Sequence, residues 1–224
     1  MYIGEIMHTD LITVSPDTTL VEAKKVIERH KIDHLLVVND KKKLVGILSD
    51  RDLKQNWASP ATSLSTHELN YLLEKVLVKM IMIKTVETVP TSTTIERAAF
   101  IMQQKDINCL PVVDQGNLVG IITSTDVMEV LLNAIGLSEG SMRLAIFVRD
   151  SVGTLATVTS ILSREKINIQ SLLTWPLKKY HGVLQLVVRV AAKDGEKAIN
   201  ALRAEGIKVK NTYVEDISPY IPVD

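Results

Sequence analysis

Leu44-Val45-Gly46-Ile47-Leu48-Ser49-Asp50-Arg51-Asp52-Leu53 is written twice in this chain, the second time as Leu118-Val119-Gly120-Ile121-Ile122-Thr123-Ser124-Thr125-Asp126-Val127. Each copy reads as a short buried strand, a hydroxyl side chain, and an aspartate at the mouth of a helix. The correspondence runs upstream at a spacing of 75 residues, pairing Met7 with Met82, Thr13-Val14 with Thr88-Val89 and Val37-Val38 with Val112-Val113, and closes to 74 between Gly46 and Gly120. Repetition of this length points to two copies of one structural unit.

A chain of 224 residues has room for two or three small modules. Its 26 basic and 26 acidic side chains leave no net field to recruit nucleic acid or an anionic membrane. The run Lys41-Lys42-Lys43 sits between two strand-like segments and reads as a solvated hairpin turn. Cys109 is the only cysteine, which excludes an internal disulfide and a thiolate metal cluster and fits a reducing compartment. The start, Met1-Tyr2-Ile3-Gly4-Glu5, lacks the basic and apolar regions of a secretory signal, and no apolar run nears the ~20 residues that span a bilayer. A cytoplasmic protein is expected.

In the first unit, Leu11 to Val14 is extended, Pro16 to Thr18 breaks the chain, and Thr19-x-x-Glu22 resembles a capping box for a helix that turns Leu20, Ala23, Val26 and Ile27 inward. His34 to Val38 and Leu44 to Leu48 form a buried hairpin, and a second helix begins at Asp50 to Asp52. Asn56 to Thr66, with Pro60, is a connection. Ser65-x-x-Glu68 then caps a joining helix, with Leu69, Leu72, Leu73, Val76 and Leu77 on one face. The second unit repeats the order: Val86 to Val89 extended, Pro90 and Thr93 at a helix start, Ile95, Ala98, Ile101 and Met102 inward, then strands at Leu110 to Val113 and Leu118 to Thr123. A last helix carries Val127, Val130, Leu131 and Ala134 and stops at Gly136. From Met142 the pattern is β-α-β-β-α-β. Leu155, Val158, Ile161 and Leu162 mark its first helix face, Asn168 to Trp175 and Val183 to Val190 its middle strands. This is the order of a ferredoxin-like sandwich, one sheet with two helices on one face.

At the end of each repeated strand, Ser49 and Thr123 offer a hydroxyl to a phosphate, while Asp52 and Asp126 would repel phosphate but accept the two hydroxyls of a ribose. Together they suit a nucleoside phosphate. Alternatively, all four side chains only cap helices, a role worth about 1 kcal/mol each. Arg51 either pairs with phosphate or balances Asp50, and Thr125 stands neutral in its place. Cys109 occupies the position of His34 and reads as a packed residue, and Trp57 and Trp175 read as buried or half-buried packing.

With these residues, Gly46-Ile47-Leu48-Ser49-x-x-Asp52 and Gly120-Ile121-Ile122-Thr123-x-x-Asp126, residues 1–136 resemble a tandem pair of CBS domains, the Bateman module. The resemblance implies two clefts that bind adenosine derivatives such as AMP, ATP, NAD or S-adenosylmethionine. Adenine would lie near Thr13, Ile32, Asp33 and His34 in one cleft, and near Thr88, Ile107, Asn108 and Cys109 in the other. Asp150-Ser151-Val152-Gly153-Thr154-Leu155 with Ile167-Asn168-Ile169 resembles the D-x-x-G-x-L and N-I signatures of an ACT domain, with Val152 where a proline is usual. Such a domain implies either an amino acid held by Asp150, Gly153 and Asn168 or pairing between copies alone, with Asp150 as a helix cap. A CBS pair followed by one ACT domain also resembles, in architecture, the bacterial acetoin-utilisation accessory proteins, a match that does not reveal the partner.

The fold expected is therefore α+β, a CBS pair of two β-α-β-β-α units followed by a ferredoxin-like βαββαβ ACT domain. Its parts are CBS domain 1 over residues 1–60, a linker helix over 61–78, CBS domain 2 over 79–136, the ACT domain over 142–216 and a tail over 217–224. The function expected is a non-catalytic regulatory sensor that takes an adenosine nucleotide as its ligand, works as a homodimer and modulates a metabolic pathway. Its regulated partner is unknown, and it contacts neither nucleic acid nor membrane. His8, His30, His34, His67 and His181 show no metal-ligand spacing, and no serine or cysteine is matched with a general base, so neither catalytic nor metal residues are assigned. The rival readings are a dimerisation scaffold with empty clefts and, further off, a nucleotide-dependent enzyme.

Overall fold

The computed structural model describes residues 1–57, 66–137 and 140–222. The chain divides into two units, Met1–Met128 and Glu129–Asp224. The expected connection around Pro60, the Ser65 cap and the side chain of Leu69 lie outside the described residues.

In the first unit, β1 (Thr13–Val14) runs parallel to β2 (His34–Val38), which pairs antiparallel with β3 (Leu44–Ser49). The helix α1 (Leu20–His30) precedes the hairpin and α2 (Asp50–Gln55) follows it. The Thr19–Glu22 capping box forms as expected, and Lys31 ends α1 in the left-handed conformation at φ 53°. Leu20, Ala23 and Ile27 of α1 pack with Leu35, Val37, Leu48 and Leu53 in one core. The joining helix α3 (Thr66–Leu73) is shorter than its apolar pattern suggests. Leu72 is 48% exposed, and Val76 and Leu77 lie past its end, where Val76 O accepts from the N–H of Leu20.

The second copy comprises α4 (Val78–Ile81), α5 (Ile95–Lys105), β4 (Cys109–Asp114), β5 (Asn117–Thr123) and α6 (Ser124–Ala134). The strand expected at Val86 to Val89 shrinks to a single bridge from Val89 to Val112. Pro111 stands where the first copy has Leu36, and with no N–H to donate it cannot extend the second copy's counterpart of the β1–β2 ladder beyond that bridge. The cap of α5 is Thr94, one residue after the expected Thr93.

Each copy is completed by the segment that leads into the other. Ile3 and Gly4 donate to the carbonyls of Thr93 and Thr91, and His8 bridges Ile121 of β5. In the same way Val78 and Lys79 donate to Thr18 and Pro16, and Ile83 bridges Ile47 of β3. Residues 1–8, expected to open the first domain, therefore pack on the second copy. The hairpins meet through Leu36, Ile47 and Cys109, with Leu44, Leu118 and Ile121 around them. Lys43 is not left in solvent as its turn suggested. Its ammonium donates to Gly116 O and to Asn117 Oδ1, both at 2.7 Å, and so ties one hairpin tip to the other.

In the second unit, β6 (Ser141–Arg149), β7 (Ile169–Pro176), β8 (Val183–Ala191) and β9 (Val209–Lys210) form one antiparallel sheet in the order β7-β8-β6-β9. The helices α7 (Thr154–Arg164) and α8 (Gly195–Ala204) bury Val158, Ile161, Leu162, Ala198, Ile199 and Leu202 against Leu144, Ile146, Leu186, Val188 and Val190. This is the ferredoxin-like order expected. Leu155 differs from expectation: it is 43% exposed, because the buried stripe of α7 starts one turn later at Val158. Trp175 differs too, at 68% exposed. It lies on the edge strand β7 opposite Gln185, out of register with the helix-covered side chains, whereas Trp57 packs at the rim of the first unit's core. Within the expected tail, Ile217, Tyr220 and Ile221 pack on Ala145, Phe147 and Val183.

Candidate functional site

The four motif side chains form two near-identical knots. Ser49 is the N-cap of α2, and its backbone N–H and its hydroxyl both donate to Asp52 Oδ2, at 2.8 and 2.6 Å. The N–H of Asp52 returns a bond to Ser49 Oγ at 3.2 Å. In the second copy the N–H and hydroxyl of Thr123 each donate to Asp126 Oδ2 at 2.7 Å, and Asp126 N–H reaches Thr123 Oγ1 at 3.4 Å. The cap role weighed from the sequence is thus built, and the hydroxyl protons expected to face phosphate are directed at the carboxylates.

The remaining carboxylate oxygens separate the copies. Asp126 Oδ1 lies 2.9 Å from His8 Nε2, brought there from the other end of the unit by the His8–Ile121 bridge. Asp52 Oδ1 has no hydrogen-bond partner among the described residues. Burial pushes the Asp126 carboxyl up, but the hydrogen bonds from Thr123 and His8 outweigh it and hold the group below the ordinary aspartate range.

Of the residues expected around adenine, Ile32 to His34 and Ile107 to Cys109 lie beside the knots. The N–H of Asp50 donates to Asp33 O at 2.9 Å, and His34 pairs across the ladder with Ser49, so Ile32, Asp33 and His34 border Asp52. The copy repeats this: Ser124 N–H donates to Asn108 O at 2.8 Å, and Cys109 pairs with Thr123, bringing Ile107 to Cys109 beside Asp126. Burial lowers the pKa of His34, against the smaller opposing pull of Asp33 and Asp52. Burial pushes the Cys109 thiol up to about 12, which removes it as a nucleophile. Asp50 pairs with Lys54, not with Arg51; Arg51 and Thr125 are exposed.

Thr13 and Thr88 are exposed. Thr88 lines a cavity of about 240 Å³ at the hairpin tips with Lys43, Lys84, Val86 and Gly116, and none of the four motif side chains reaches it. The sequence reading missed His8 and Lys84. The signal for His8 was present, since the 75-residue spacing aligns it with Ile83, an unlike pair in otherwise matching stretches.

In the second unit Asp150, Gly153 and Asn168 are all exposed. Gly153 caps α7 at φ 92° without any side-chain bond, so Asp150 is not the cap; its N–H instead donates to Gly182 O at 2.8 Å. A separate cavity of about 400 Å³ is lined by Phe147, Arg149, Thr157, Ile207, Lys208 and Tyr220 among others, and by none of those three residues. Among the described residues no three His, Cys, Asp or Glu side chains are grouped to hold a metal ion, and no helix is long and apolar enough to cross a membrane.

Comparison with known proteins matches residues 3–58 and 78–133 to the CBS domain and residues 144–207 to an AHAS small subunit-like ACT domain. An uncharacterized protein of Methanopyrus kandleri is 33% identical over 129 residues, 57% of this chain and 61% of that protein. The inosine-5'-monophosphate dehydrogenase of Methanocaldococcus jannaschii is 36% identical over 126 residues, 56% of this chain and 22% of the enzyme. The chain therefore spans less than two thirds of either relative. A crystal structure of a Vibrio cholerae protein named for acetoin utilization (AcuB) superimposes with a TM-score of 0.50 at 31% identity, covering 61% of this chain and 94% of that one.

Proposed function

This chain belongs to the CBS-domain family, as a tandem CBS pair with an ACT domain behind it, and from that premise we propose that it is a regulatory sensor of an adenosine nucleotide. The observation that carries the reading is the open oxygen of Asp52, fixed by Ser49 and bordered by Ile32, Asp33 and the uncharged, half-buried His34. A carboxylate held in one orientation accepts sugar hydroxyls, and the neighbouring apolar and imidazole surface suits a purine. Phosphate binding by Ser49 requires its hydroxyl to turn away from Asp52.

The nucleotide acts by favouring one arrangement of a homodimer over another, since equal affinity for both would change nothing. Pairing of the ACT domain with its twin, a small amino acid at Asp150, Gly153 and Asn168, a cytoplasmic setting and a regulatory role in acetoin utilisation complete the proposal. The relationship to the dehydrogenase covers a minor share of that enzyme, which supports regulation over catalysis for this chain. One observation favours the second reading, a ligand-free scaffold: every motif hydroxyl is already bonded to its own aspartate.

The test is thermal unfolding of the full chain with AMP, ATP, NAD and S-adenosylmethionine. A specific ligand at a hundred times its Kd stabilises by about 2.7 kcal/mol. A melting temperature unmoved by all four would favour the scaffold.

A further inference from the structure

The two knots differ at one side chain that neither of them contains. His8 and Ile83 occupy equivalent places: His8 exchanges two backbone hydrogen bonds with Ile121, at 2.9 and 3.0 Å, and Ile83 exchanges the same two with Ile47, at 2.9 and 3.0 Å. The side chains at positions 8 and 83 therefore stand alike relative to Asp126 and Asp52. At position 8 an imidazole reaches the carboxylate, with Nε2 at 2.9 Å from Asp126 Oδ1. At position 83 a hydrocarbon, 51% exposed, has nothing to offer Asp52.

In both copies Oδ2 is committed, taking two bonds from Ser49 or from Thr123. A ribose diol must then be received by Oδ1. We propose that the two positions are unequal: Asp52 is the seat for the sugar, and His8 holds the Asp126 seat closed, so that each chain takes one adenosine nucleotide, at the first copy. This rests on the nucleotide reading above and decides which copy serves it. The remaining differences point the same way, because the residue beside the knot is an imidazole at His34, able to donate and accept, but a buried thiol at Cys109.

His8 is 61% exposed, so its removal leaves no buried gap. Exchanging the two side chains tests the proposal directly. Isothermal titration of the full chain with AMP is run on wild type, His8→Ile and Ile83→His, with circular dichroism melts to confirm that each variant folds. The expected results are one site in wild type, a second site gained in His8→Ile, and affinity at the first site lowered by about tenfold to a hundredfold in Ile83→His, the factor for one hydrogen bond to a charged group. A gained site cannot arise from misfolding. Two equal sites in wild type, or no second site in His8→Ile, would overturn the proposal while leaving the nucleotide reading intact. No binding by any of the three proteins would overturn both.

Discussion

Met7 of the first copy fills the space where Gly120 of the second would carry a β-carbon, and Met82 stands in the same relation to Gly46. A β-carbon at either glycine would overlap the methionine sulfur and lie 3.2 Å from the carbonyl oxygen of His8 or Ile83, a backbone atom already held in a bridge. The glycine of the doubled motif is there so that the leading segment of one copy can lie on the strand of the other. Gly120→Ala is expected to destabilise the protein by about 1–3 kcal/mol in urea unfolding, the usual range for overpacking. Adding Met7→Ala should recover only part of this, because the carbonyl remains. A wild-type midpoint for the single variant would refute the packing argument.

Lys43 gives a second stability test. Lys43→Met removes both of its hydrogen bonds to the opposite hairpin tip while keeping the stem, and should cost about 0.5–1.5 kcal/mol. A solvated turn lysine would cost nothing measurable, so the two accounts separate in one denaturation curve.

The lowered pKa of His34 makes stability depend on pH with a definite sign. Its burial favours the neutral ring, so the contribution is fully present above the ordinary value of 6.5 and is lost as pH falls through the lowered folded value. Replacing His34 by glutamine should flatten the stability curve between pH 6.5 and the lowered folded value relative to wild type. Parallel curves for the two proteins would show that His34 is not held neutral.

Cys109 should be inert in the folded protein. With its thiol pushed up to about 12, the thiolate fraction at neutral to mildly basic pH is about a thousandfold below that of a free thiol of ordinary pKa near 9. A disulfide reagent at pH 8 should label the native chain very slowly and the urea-unfolded chain at once; rapid native labelling would contradict the buried placement.

Much of this molecule was legible because local and long-range signals agreed. The Thr19–Glu22 box, the two apolar hairpins and the β-α-β-β-α-β order each read from spacing and formed as read. What escaped the sequence was set by partners far along the chain. Pro111 cuts short the strand at Val89 by withholding an N–H, a loss visible only once the two are known to pair. The apolar look of Val76 and Leu77 extended the joining helix on paper, whereas those residues leave it to complete the first copy. Trp175 is exposed because β7 is a sheet edge, a fact of strand order that no local pattern carries. At the candidate site, spacing revealed the hydroxyl and the acid but not that they bond to each other, nor that His8 would arrive at only one of the pair.

The nucleotide reading stands or falls on Asp52. Asp52→Asn keeps the shape and an acceptor for the Ser49 cap but loses the charge that orders sugar hydroxyls. Calorimetric titration of the full chain with AMP should give saturable heat in wild type and at least a tenfold weaker fit in Asp52→Asn, with Asp126→Asn close to wild type. Equal affinity in wild type and Asp52→Asn would contradict the account.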